Sequence, residues 1–136
     1  MVEEVLEKYP NDVRVVIKNF PLSSHKQANK AALYALAAER QGKYYEMYKR
    51  IFADYRSLRT NEDLPLQYAQ ELGLDIDQLH ADMKDPALQD RITRETKQLR
   101  SSGMRTAVPK FLINGKEPKG GSIGAWSSII DEALKK

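Results

Sequence analysis

The chain has 136 residues, a formal net charge of +3 and no cysteine. With 41% hydrophobic and 30% charged residues it reads as one globular domain with a real core, not as a disordered segment. The missing thiols exclude disulfides, thiolate metal sites and thiol chemistry within these residues, and His25 and His80 stand too far apart to suggest a zinc site.

Val2, Val5, Leu6 and Tyr9 follow the i, i+3, i+4, i+7 rule and predict an amphipathic helix over 2–9, broken by Pro10-Asn11-Asp12. The apolar stripe is already running at residue 2, with no capping residue before it. The expectation is a helix entered in mid-course, with a strand and a helical turn before residue 1. Val13-Arg14-Val15-Val16-Ile17-Lys18 is β-rich, bounded by turn residues and partly apolar on both faces, so it predicts a strand covered by helices.

A helical block follows. Ser24 is the expected cap of an alanine-rich helix from His25 to Gln41, ended by Gly42. Tyr44, Tyr48, Ile51 and Tyr55 make a second stripe. These tyrosines, with Tyr45 and Phe52, could line a groove for apolar peptide, but helical spacing favours the core. Asn61 or Asp63 is the expected cap of a third helix, with Leu64, Tyr68 and Leu72 on one face and Gly73 as its stop. Ile76, Leu79 and Met83 form a short fourth. Asp85-Pro86 opens a fifth, with Leu88, Ile92 and Leu99 as its stripe and Gly103 at its end. Arg91, Arg94, Lys97, Arg100 and Arg105 make a loose basic cluster there. Asp90 and Glu95 interrupt it and no aromatics interleave, so it reads as a solvated face and not as a nucleic-acid site.

Near the end stands "TAVPKFLING", residues 106–115. Phe111-Leu112-Ile113 predicts a strand and Asn114-Gly115 a hairpin turn, with a second short strand ending near Gly121-Ser122. Taken alone, Pro109 reads as a proline at the start of an edge strand. The last helix carries Trp126, Ile129, Ile130, Ala133 and Leu134 at helical spacing. No apolar run approaches the ~20 residues of a membrane span, no signal-peptide pattern opens the chain, and no internal repeat is visible.

Four stretches carry a resemblance: "EEVLEKYPNDVRVVIKNFPL", "SSHKQANKAALYALAAERQGKYYEMYKRIF", "AQELGLDIDQLHADMKDP" and "GMRTAVPKFLING". In this order and spacing, over roughly residues 2–135, the sequence resembles the DsbA-like family of thiol-disulfide oxidoreductases. The resemblance implies a thioredoxin-like α/β fold in three layers, with about three strands here. It implies a single incomplete domain over 1–136, truncated at its N-terminus, with a helical insert at about 24–102. It also implies that Pro109 forms a cis peptide bond, and that Val108, with Ala107 beside it, offers its backbone to an extended substrate peptide.

The family's Cys-x-x-C, at the start of the first helix, and the strand before it have no counterpart in these residues. As given, the chain therefore holds no catalytic residue for that reaction, and no cofactor is expected. Lys110 and His25 are secondary candidates: the lysine to favour a thiolate and attract acidic groups, the histidine for proton transfer near the cysteines. The partners implied are a peptide or unfolded protein substrate, and a second copy of the chain through an open sheet edge. The compartment implied for the complete protein is periplasmic or otherwise outside the cytoplasm. Two alternatives stand beside this: a cysteine-free thioredoxin-like module for peptide binding or assembly, and a relative of kappa-type glutathione transferases, which would need an upstream serine instead.

Overall fold

The computed structural model describes all residues 1–136. Seven α-helices are formed: α1 Val2–Lys8, α2 Lys26–Glu39, α3 Tyr44–Ala53, α4 Leu64–Glu71, α5 Ile76–Met83, α6 Pro86–Arg100 and α7 Ile123–Leu134. A 3-10 turn lies at Ser57–Arg59. The chain divides into two compact units: Met1–Ile17 with Arg105–Lys136, and Lys18–Met104.

In the Lys18–Met104 unit, α2 is the central element. It packs against α3, α4, α5 and α6. Ala31, Tyr34, Ala35, Leu36, Ala37 and Ala38 are buried, and the small alanine side chains let the neighbouring helices close in on most sides. Met47, Ile51, Leu79, Leu88 and Ile92 complete the core. Each large apolar side chain so buried stabilises the fold by about 1.5–3 kcal/mol.

The first residue of α2 is not where the expected Ser24 cap places it. The His25 N–H returns to the Leu22 carbonyl at 3.0 Å, this turn moves the start to Lys26, and no side chain caps the helix. The other end is closed by Gly42 at φ +74°: the Lys43 N–H donates to Ala38 O and the Gly42 N–H to Glu39 O, both at 2.9 Å. Asp75 and Asp85 cap α5 and α6 by accepting from the N–H groups of Gln78 and Ala87. Buried Glu95 on α6 accepts from Arg91 and from both the backbone and the side-chain N–H of Asn19, which pins the incoming chain to the helix.

The other unit is smaller. α1 packs on α7 around Val5, Tyr9, Trp126 and Ile130, with Val13, Ile113 and Ile123 partly buried against them. Two polar ties run between the helices: Lys8 Nζ donates to Ser127 Oγ at 2.9 Å and the Tyr9 hydroxyl to Asp131 at 2.7 Å. Ser122 caps α7 by accepting from the Ala125 N–H.

The expected α/β fold with about three strands is not formed, and the structure contains no sheet. Residues 13–18 and 110–112 belong to no helix and no strand. The expected hairpin is reduced to one antiparallel bridge, Ile113 with Lys116, around a turn whose two residues, Asn114 (φ 47°) and Gly115 (φ 80°), both lie in the left-handed region. The physical reason is that a strand exists only where another strand takes its N–H and C=O groups. Outside the bridge none of these segments has such a neighbour, although their β-branched side chains favour extension. Val16 accordingly stands 62% exposed and is not covered by helices.

Candidate functional site

The segment that follows α6 is built by its own backbone and by the turn beyond it. The Ala107 N–H bends back to Arg105 O at 3.0 Å. The Val108–Pro109 peptide bond is cis. At the far end the Ile113 N–H donates to Lys116 O at 2.8 Å, and the Lys116 N–H donates back at 3.0 Å. Between these two anchors Val108, Lys110, Phe111 and Leu112 make no backbone hydrogen bond.

The side chains of this run divide by position. Ile113 packs against the Val5–Trp126 cluster. Phe111 lies against Trp126, ring centroids 4.6 Å apart, while its outer edge stays open. Trp126 donates its indole N–H to Gly120 O, which holds the ring in place under Phe111. Val108 and Leu112 are about two-fifths exposed. The segment thus offers unpaired donors and acceptors beside an apolar surface, and the rigid α7 underlies it.

The structure places the expected site residues as follows. Ala107, Val108 and Pro109 are consecutive in this open run, with Ala107 half-buried. Lys110 is not a free charge: its side chain is nearly buried and its ammonium lies 2.8 Å from Glu117. His25 belongs to the Lys18–Met104 unit, exposed at the start of α2. Glu117, Phe111, Leu112 and Trp126 were not expected here. The Asn114-Gly115 turn was the available signal for Glu117, since a two-residue loop folds 116–117 back beside 110–113. No group of histidine and carboxylate side chains has the arrangement of a metal site.

A family model described as thioredoxin matches residues 1–132. Among curated proteins, the chain is 30% identical over 134 residues to the Na(+)/H(+) antiporter NhaA of Herminiimonas arsenicoxydans, covering 98% of this chain and 21% of that protein. It is 34% identical over 135 residues to the Na(+)/H(+) antiporter NhaA 3 of Salinispora tropica, covering 98% of this chain and 20% of the relative. The NhaA 1 antiporter of Salinispora arenicola is 33% identical over the same length. The chain thus spans about a fifth of the length of the curated relatives it matches. No solved structure matches it. The thioredoxin match runs from α1 into the last turns of α7 and takes in the open 107–112 run, and the chain belongs to the thioredoxin family.

Proposed function

We propose that the chain binds extended peptide segments along residues 107–112, as the substrate-holding part of a thioredoxin-like domain within a larger, antiporter-like membrane protein. The observation that carries this reading is the unpaired backbone of Val108, Lys110, Phe111 and Leu112, flanked by the exposed side chains of Val108 and Leu112. An extended peptide laid along such a run gains main-chain hydrogen bonds, and apolar side chains beside it set which residues are preferred. The finer reading is thiol–disulfide exchange on exported proteins outside the cytoplasm. It rests on the resemblance to DsbA-like proteins and requires a dithiol, which these 136 residues do not contain. A second copy of the chain is the competing occupant of the same open backbone.

The test uses the only tryptophan, Trp126, as reporter, because Phe111 rests on it. The chain is titrated with a ten-residue peptide of alternating apolar and polar residues while Trp126 emission is followed. Saturable binding that Val108→Asp and Leu112→Asp weaken about tenfold supports the proposal, since a charge there opposes docking of an apolar residue. Binding that survives both changes but is lost with Val16→Asp would put the peptide on residues 13–17 and overturn it. Sedimentation at rising protein concentration, without peptide, separates self-association from peptide binding.

A further inference from the structure

Helix α3 carries more aromatic surface than its core contact uses. Met47 and Ile51 are the residues it buries. Beside them runs a ladder of rings, with centroid separations of 6.2 Å for Tyr44–Tyr48, 5.9 Å for Tyr45–Tyr48 and 4.7 Å for Tyr48–Phe52. The expectation that these aromatics are core fails at its outer end: Phe52 is 63% exposed and Tyr55, just past the helix, 53%. Two large exposed rings three residues apart in sequence are the kind of feature that marks an interaction surface.

Two cations stand over rings of this segment. Lys49 Nζ lies 4.9 Å from the Tyr45 ring centroid and the Arg56 guanidinium 5.8 Å from that of Tyr55. Neither forms an ion pair, while the acids nearby are already engaged: Glu46 with Lys43, Glu71 with Arg50, and Asp54 with the Ser57 hydroxyl. The segment therefore combines apolar rings, phenol hydroxyls and two cations outside any ion pair. A single-stranded nucleic acid needs open ring faces. Here the faces of Tyr45 and Tyr48 are taken up by each other and by Lys49, which leaves Phe52 and Tyr55 but no longer run of open faces for successive bases. An anionic lipid surface asks for what is present: tyrosine and phenylalanine rings at headgroup depth, and lysine and arginine reaching the phosphates.

We infer that the Tyr45–Arg56 face docks on the anionic surface of a bilayer, Phe52 and Tyr55 entering the headgroup boundary and Lys49 and Arg56 meeting lipid phosphates. This rests on the reading of the chain as a domain of an antiporter-like protein, which keeps it close to a membrane. It needs no spanning segment, and no helix is long and apolar enough to cross a membrane.

The 136-residue chain is sedimented with vesicles of phosphatidylcholine and phosphatidylglycerol at 3:1, and with pure phosphatidylcholine. Binding to the anionic vesicles is expected to fall about tenfold or more in Lys49→Glu/Arg56→Glu and at high salt. A comparable loss is expected in Phe52→Ser/Tyr55→Ser. All four side chains are exposed, so the helical circular dichroism should be unchanged. No pelleting with anionic vesicles overturns the inference, as does pelleting that survives removal of the two rings. The Trp126 peptide titration is repeated on the parent and on each variant: unchanged peptide binding with lost vesicle binding separates this inference from the peptide-binding proposal, while a parent that binds anionic vesicles and no peptide would refute the peptide reading alone.

Discussion

Asp63 shows how far a single side chain can be read. Its place before α4 suggests a helix cap, and it does occupy that position, yet its side chain caps nothing. Its carboxylate instead accepts from the Tyr34 hydroxyl at 2.7 Å and pairs with Lys30 at 2.8 Å. Those partners lie about thirty residues away in sequence, so only the packed helices could reveal them. Lys30 first, then Tyr34, hold the Asp63 carboxyl below the usual carboxylate range. Burial pushes the Tyr34 hydroxyl the other way, well above its ordinary value, so it stays a neutral donor. The Lys30 pair is half-exposed and adds little, whereas Tyr34 is 2% exposed. Tyr34→Phe is expected to cost about 1 kcal/mol at neutral pH. A depressed carboxylate stabilises the fold fully above its unfolded value of about 3.9, and this contribution is lost as pH falls through the lower folded value. Urea titrations from pH 6 to pH 2.5 should therefore show a shallower acid loss in Tyr34→Phe than in the parent. Parallel curves would mean the hydroxyl does not act through Asp63.

Helices and strands were not equally legible. The stripe of Leu88 and Ile92 and the Asp85-Pro86 start gave α6 almost whole, because a helix makes its bonds within its own segment. The run Val13–Lys18 has the right residues for a strand and still is not one, because a strand is a property of two segments. The same difference governs local opening. Hydrogen exchange should find the amides of Leu36, Ala37 and Ala38 the slowest in the chain, since α2 is buried on most sides. The amides of 14–17 and of Val108, Lys110, Phe111 and Leu112 should exchange near intrinsic rates, those of the second group slowing when peptide is added. Strong protection at Phe111 and Leu112 in the free chain would remove the basis of the peptide-binding proposal.

For the chain taken together, the order of its pieces carried more information than any one of them. Each quoted stretch is weak alone, but their order pointed to thioredoxin relatives, and the family match spans residues 1–132. What the pattern could not convey is whether the extended pieces find partners, and in this structure they do not. For the match of Lys110 with Glu117 the pattern held only the Asn114-Gly115 turn, which brings 116–117 back towards the run without fixing which side chain meets Lys110. The thiol chemistry is likewise a question about the larger protein proposed above. Intact mass of the protein from its source cells, before and after reduction and alkylation, is expected to show a species heavier than 15.5 kDa that takes up two alkyl groups. A protein of any mass that takes up none would dispose of the thiol–disulfide reading and leave peptide binding standing.

Arg40, just past α2, holds Asp82 at the end of α5 with one guanidinium nitrogen and Asp85 at the start of α6 with another, both at 2.8 Å. A lysine, with a single nitrogen, could not give each carboxylate its own nitrogen as the planar guanidinium does. The partners lie 42 and 45 residues apart, so the chain must close a long loop before this clamp can form. Such a contact is expected to arrive late, after the local helices and their first packing, and to be absent from the folding transition state. It then hardly changes how fast the chain folds. Whatever stability it adds is expected to appear in how long the folded state lasts, because a contact absent from the transition state is broken on the way out.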